Sequence, residues 1–107
     1  MRAVLCRSFD GHKSLVVDDV PSPTPGPGQV RIAVKAAGLN FADTLMTVGQ
    51  YQAMPPLPFS PGLEGAGVVV ELGAGVEGLA VGDRVIALSG HGMFAEEAIA
   101  PAVTDRP

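Results

Sequence analysis

Val30, Ile32, Val34 and Ala36 alternate with Arg31, Ala33 and Lys35, the two-residue period of a strand with one buried and one wet face. No other stretch repeats the pattern so clearly. Shorter apolar runs from Arg2 to Arg7 and from Leu15 to Val20, joined by a turn at Asp10-Gly11, predict a hairpin. Pro21 ends its second strand, and residues 21–28, with four prolines, offer too few backbone donors for a ladder, so an extended surface connection is expected. After Gly38 the period changes. Phe41, Leu45 and Val48 fall at helical spacing with Gly49 as the stop, which predicts a short helix presenting those three residues. Asn40 then stands at the N-cap, and Asp43 is placed to reach back to the Asn40 N–H as in a capping box. A second stiff loop is expected over 54–62. Gly67 to Leu72 and Arg84 to Leu88, set apart by turns at Gly73-Ala74-Gly75 and Gly82-Asp83, predict two further strands. Met93 to Ile99 predicts a last one, although Ala95-Glu96-Glu97-Ala98 alone would also suit a helix.

Close, turn-marked strands with one or two short helices describe a mainly β domain, a small barrel or sandwich, and 107 residues are enough for one such domain. Fourteen glycines and ten prolines break the apolar residues into short runs, none near the roughly 18 residues of a membrane-spanning helix. A cytoplasmic protein without membrane partners is the expectation. Seven basic residues against eleven acidic ones leave a net charge of −4 with no basic cluster, which gives a nucleic-acid backbone no attractive field. The single cysteine, Cys6, excludes an internal disulfide and lies in the first apolar run, where it reads as a buried small hydrophobe. His12 and His91 are each next to glycine and read as turn residues.

Gly73, Gly75 and Gly78 match the spacing of a dinucleotide-binding loop. The residues that follow, Leu79-Ala80-Val81-Gly82-Asp83, leave no room for the helix whose N-terminus would hold a pyrophosphate. A hairpin turn accounts for the spacing instead. Composition and periodicity thus leave a binding module, a structural piece and part of an enzyme all open.

The ordered motifs Asn40-Phe41-Ala42-Asp43, Pro61-Gly62-Leu63-Glu64-Gly65-Ala66-Gly67, Val68-Val69-Val70-Glu71-Leu72-Gly73 and Val81-Gly82-Asp83-Arg84-Val85 together resemble the N-terminal GroES-like catalytic domain of the medium-chain dehydrogenase/reductases. The resemblance runs over most of the chain. In the zinc-dependent alcohol dehydrogenases of that family a cysteine takes the place of Asn40 and a histidine that of Leu63, beside the glutamate matched by Glu64. An amide and an isobutyl group cannot replace thiolate and imidazole as zinc ligands. The resemblance therefore implies a zinc-free member without a metal site, similar to the quinone oxidoreductases of the zeta-crystallin-like subfamily and their enoyl-reductase relatives.

Several expectations follow from the resemblance. The fold should be a GroES-like partly open β-barrel spanning 1–107, with the Rossmann nucleotide-binding domain absent from this chain. A chain ending at Thr104-Asp105-Arg106-Pro107 should be a fragment, its barrel incomplete without downstream segments, its exposed edges prone to self-association and its full-length form a homodimer. NADPH should serve the full-length protein and should not bind this chain alone. The reaction would be hydride transfer to a quinone or an α,β-unsaturated carbonyl. Asn40 and Tyr51 are the implied catalytic donors, Asn40 and Leu45 the implied cofactor contacts, and Asp43 and Glu64 either line the substrate cleft or fix its loop. Many quinone reductases of the family carry an aromatic residue in the place of Leu45, so an enoyl thioester is an alternative acceptor. A non-catalytic binding or assembly module, as in the co-chaperonins of the same fold, is the alternative outside enzymology.

Overall fold

In a computed structural model, which describes residues 1–52 and 54–102, the chain forms six strands and one short α-helix. They are β1 (Arg2–Leu5), β2 (Val16–Asp19), β3 (Gln29–Gly38), α1 (Phe41–Met46), β4 (Glu64–Leu72), β5 (Arg84–Leu88) and β6 (Glu97–Pro101), with a 3-10 turn at His12–Ser14. The first two strands pair antiparallel as the expected hairpin, Arg2 opposite Asp19 and Leu5 opposite Val16. The others form one antiparallel sheet in the order β5-β4-β3-β6. Main-chain bonds from Val4 N to Phe94 O (2.8 Å) and Glu96 N to Arg2 O (3.0 Å) attach the hairpin to the segment entering β6.

The alternation in β3 survives over its first half, where Val30 and Ile32 are buried and Arg31 points outward. Ala36, expected on the buried face, is exposed, because a register shift between Val34 and Ala36 carries the strand across the pleat. Beneath the sheet, Val30, Ile32, Val69, Ala87, Met93, Ala98 and Ala100 make the main core. On the other face Arg31 spans three strands, with Nη1 3.1 Å from Glu71 and Nε 3.8 Å from Glu97.

β4 begins at Glu64, three residues before the expected start at Gly67, so half of the glycine-rich stretch is strand rather than turn. The reason is close backbone approach. A Cβ at Gly67 would overlap the Ala33 carbonyl oxygen, and one at Gly65 would lie 3.0 Å from Ala36 O. Glycine here permits the irregular β3–β4 pairing, the role it plays when a neighbouring strand crowds in. The last strand runs over Glu97–Pro101 rather than Met93 to Ile99, since residues 92–94 bond to 60–62 instead. The helical option for this stretch is overturned by the pairing of β6 with β3.

The helix is in place, but the three apolar residues at helical spacing do not make its buried side. Phe41 and Val48 are exposed and Leu45 is half-buried, whereas Asp43, Met46 and Thr47 are buried. Met46 packs with Cys6 and Phe59 into a second, smaller core. Gly73–Gly78 is a turn with no helix after it, and the Gly73 N–H donates to Gln29 O (2.7 Å).

No hydrogen bonds join β5 to β6 among the described residues, so the sheet curls without closing. A cleft of about 460 Å³, lined by Val30, Ile32, Leu79, Val85, Ala87 and Ala100, lies between these two edges. The fold is therefore mainly β, partly open and GroES-like in layout. Residues 103–107, where the expected chain ending falls, lie outside the description.

The glycine argument predicts that Gly67→Ala destabilises the domain by about 1–3 kcal/mol or more through overpacking. Gly90→Ala, where an added Cβ meets nothing within 4 Å, should stay within about 0.5 kcal/mol. Urea denaturation of the two variants side by side is the check.

Candidate functional site

Asn40 lies two residues past the end of β3, in extended conformation (φ −123°, ψ 154°), where it caps α1. The cap is held chiefly by Asp43. The Asn40 main-chain N–H donates to Asp43 Oδ2 at 2.9 Å, and the Asp43 N–H donates to the Asn40 carbonyl at 3.0 Å. The Asn40 carboxamide oxygen faces this N–H in turn, which completes the reciprocal arrangement of a capping box and leaves its NH2 on the other side. A half-buried amide with donors and an acceptor to offer is the result.

Asp43 has a second task. It is only 3% exposed, and its other oxygen, Oδ1, accepts the Gly62 N–H at 3.1 Å. One carboxylate thus ties the start of α1 to the loop that enters β4. Burial of a carboxylate is tolerable only when its lone pairs are occupied, and two main-chain N–H groups occupy them here. Gly62 adopts φ +108°, and a Cβ there would lie 2.8 Å from Phe94 N, so the loop residue must be glycine on both counts. The loop is pinned further by Met93 N to Gly62 O (3.2 Å), Phe94 N to Pro61 O (2.9 Å) and Ser89 N to Leu63 O (2.8 Å).

Glu64 begins β4 opposite Gly38 on β3 and Leu88 on β5. Its side chain lies over the Gly38 Cα, in the space a Cβ there would need, two residues before Asn40. Asn40, Asp43, Gly62 and Glu64 therefore converge at one corner of the sheet. Tyr51 and Leu63 belong to the neighbouring layer, where both pack against the Cys6, Met46 and Phe59 cluster. Leu45 is half-buried on α1, and its carbonyl accepts the N–H groups of Val48 (3.2 Å) and Gln50 (2.9 Å). The corner is also apolar at its surface: Leu39 and Phe41, on either side of Asn40, are each 78% exposed.

The Gly62 N–H as the partner of Asp43 had no local signal, because nineteen residues separate the two. The pairing of Cys6 with Phe59, with main-chain bonds of 2.7 and 3.1 Å, was equally hidden. Cys6 is fully buried, and burial pushes its thiol above the ordinary value. His91 stands edge-on to Phe59, ring centres 6.3 Å apart. Among the described residues no three His, Cys, Asp or Glu side chains gather as a metal site would require, and no helix is long and apolar enough to cross a membrane.

Two outcomes are expected from this geometry. Asp43→Asn should cost about 1.5–3 kcal/mol, the range for hydrogen bonds to a charged group. Amide exchange should quicken at Asn40 and Gly62 more than in the β3–β4 ladder. Cys6 in the native chain should react with a thiol reagent only through opening of the fold, at a rate that rises steeply in sub-denaturing urea.

The same fold recurs among known proteins. The family model of the alcohol dehydrogenase GroES-like domain matches residues 26–105. A rat synaptic vesicle membrane protein VAT-1 homolog is 45% identical over 104 residues, covering 95% of this chain and 26% of the relative. A quinone oxidoreductase-like protein 2 homolog of Nematostella vectensis is 47% identical over 101 residues, covering 94% and 27%. The solved structure of the mycobacterial protein Rv1454c complexed with NADPH superimposes with a TM-score of 0.86 at 38% identity, covering 95% of this chain and 32% of that one. The chain spans about a quarter of the length of these curated relatives. With the open six-stranded fold and the clamp between Asn40 and Gly62 in view, the match over three quarters of the sequence shows that this chain belongs to the alcohol dehydrogenase GroES-like domain family.

Proposed function

We propose that this domain is the acceptor-positioning part of a zinc-free, NADPH-dependent reductase that delivers hydride to a quinone or another α,β-unsaturated carbonyl. The observation that carries the reading is the Asn40 carboxamide. The residue's main chain is fixed by the bonds of Asp43 to the N–H groups of Asn40 and Gly62, and an amide whose oxygen faces the Asp43 N–H in the capping box keeps its NH2 to donate. The solved relative in complex with NADPH and the quinone oxidoreductase-like relatives support the choice of cofactor and acceptor.

The described residues suit one end of the cofactor and not the other. A flat amide-bearing ring can lie against Asn40 with Leu39, Phe41 and Leu45 as its apolar surroundings. No cradle for a pyrophosphate is present among the described residues: α1 has six residues, and Asp43 already occupies the N–H at its cap. Bound nicotinamide would supply the hydride, and the remaining work falls to this chain. The Asn40 amide donates to the acceptor oxygen as negative charge grows there, a preorganised donor of the kind that stabilises enolates and oxyanions. Tyr51, in the neighbouring layer against Cys6, Met46 and Phe59, offers a phenol able to donate a hydrogen bond or a proton. Asp43 acts through Asn40 by holding the cap, and Glu64 lines the far side of the corner beside Gly38. No zinc takes part, since the places of Asn40 and Leu63 carry no metal ligand.

Joined to a nucleotide-binding domain from a similar reductase, the chain should reduce quinones or enones with NADPH, and Asn40→Ala should lower kcat roughly 10²-fold. Equal rates for the two proteins would refute the role of Asn40. Fluorescence titration of the 107-residue chain alone should show no NADPH binding at micromolar concentration.

A further inference from the structure

α1 is held at both ends, and the far end is the one that leads to Tyr51. Gly49 adopts φ +74°. Its N–H donates to Met46 O at 3.2 Å and the Gln50 N–H to Leu45 O at 2.9 Å, the pair of bonds by which a left-handed glycine closes a helix and turns the chain away from it. Tyr51 is the next residue but one. The Thr47 carbonyl accepts from outside the helix, taking the Gly11 N–H at 3.1 Å from the loop between β1 and β2. The same loop lays Phe9 on the turn. A Cβ at Gly49 would lie between 3.2 and 3.5 Å from three carbons of the Phe9 ring, so the ring rests against the glycine with no side chain between them, while 43% of Phe9 stays exposed. The loop is itself braced. Cys6 Sγ donates to Ser8 O (3.2 Å), Ser8 Oγ to Asp10 Oδ2 (2.7 Å), and the Ser14 N–H and hydroxyl both to Gly11 O (3.1 and 2.7 Å). Leu15, just beyond it, packs with Tyr51 against the cluster of Cys6, Met46 and Phe59.

We propose that Phe9 and Gly11 are positioning residues for Tyr51: the loop of the β1–β2 hairpin clasps the end of α1 and fixes the direction in which the chain leaves Gly49. The inference rests on the reading of Tyr51 as a donor to the acceptor. Gly49 is needed for its positive φ, yet glycine is also the residue with the most backbone freedom to lose. The Phe9 ring and the Gly11 bond remove that freedom from outside. Asp43 sets Asn40 at the start of the helix and the loop sets Tyr51 past its end, so a helix too short to hold itself keeps two donors at a fixed separation. Fixed separation matters to chemistry, because a group that delivers a hydrogen bond or a proton loses much of its effect when displaced by about 1 Å.

Tyr51 is the only tyrosine and the chain has no tryptophan, so tyrosine fluorescence of the full 107-residue chain reports on this residue alone. Phe9→Ala should keep the native circular dichroism spectrum, raise the iodide quenching constant of Tyr51 about twofold or more as the turn opens locally, and add a fast component to its anisotropy decay. Phe9→Leu, which keeps an apolar cover over Gly49, should recover most of the wild-type behaviour. Val17→Ala, at an exposed position of the same hairpin opposite Val4, should change neither signal. In the unmutated chain the Gly11 amide should be protected from hydrogen exchange. Once the chain is joined to a nucleotide-binding domain, Phe9→Ala should lower kcat about 10-fold with KM little changed, and should cost nothing further in a Tyr51→Phe background. Wild-type fluorescence in Phe9→Ala, equal loosening in Val17→Ala, or free exchange at Gly11 overturns the proposal. So does a loss of kcat in Phe9→Ala that persists undiminished with Tyr51→Phe, since the loop would then act through something else. Full activity of Tyr51→Phe refutes the donor role of Tyr51 instead, and leaves the hold on it supported by the fluorescence.

Discussion

The buried carboxylate of Asp43 is the interaction on which the functional corner depends. A six-residue helix is far below the length at which helices are stable on their own, so α1 must be held by what its ends touch. Asp43 supplies that hold twice, to Asn40 N within the cap and to Gly62 N across nineteen residues. Local capping and long-range closure are thereby one event. The helix cannot form its first turn in the native place without bringing the entrance of β4 beside it, and the sheet cannot settle Glu64 against Gly38 without fixing where Asn40 points.

This coupling explains why the exposed side of α1 runs against its periodicity. Phe41, Leu45 and Val48 have the spacing of a buried stripe, and periodicity cannot say which side of a short helix finds the core. The bonds of Asp43 decide it by turning Asp43, Met46 and Thr47 inward. The energetic balance is reasonable. Met46 is fully buried against Cys6 and Phe59, worth about 1.5–3 kcal/mol, and the carboxylate is satisfied by two charge-assisted bonds. Phe41 is left in water, which costs the isolated domain nothing relative to its unfolded chain but leaves apolar area for a partner to cover.

What the sequence discloses divides along the same line between local and distant causes. The hairpin of β1 and β2, the first half of β3, the cap at Asn40 and the strand at Arg84 to Leu88 are set by neighbours within a few residues, and the residue pattern states them. The start of β4 at Glu64 is set by the approach of Ala33 and Ala36 from another strand, and glycines in a row read as a turn until that approach is known. The order β5-β4-β3-β6 is likewise invisible in alternation, since a central and an edge strand share one period. Of the candidate site, Asn40 and Asp43 announce themselves by capping chemistry, while the motif resemblance alone gave reason to single out Tyr51, Leu45 and Glu64. Gly62, whose N–H completes the clamp, has only its φ and its neighbours to declare it.

The exposed apolar residues around Asn40 bear on chemistry as well as on association. An amide donor in contact with water gains little by bonding a substrate oxygen, because it exchanges one hydrogen bond for another of similar strength. The same donor in a water-free, low-dielectric site stabilises a developing charge much more strongly. Leu39 and Phe41 flank Asn40 and are largely exposed in this chain, so whatever covers them also dries the donor between them. On the proposed reading, the cover and the strength of Asn40 as a donor are therefore linked: a surface that docks on Leu39 and Phe41 would not merely bring a cofactor near but would change the medium in which the amide works. A reductase built this way would have a weakly active donor while its halves are apart and a strong one when they meet, with Asp43 keeping the amide's position the same in both states.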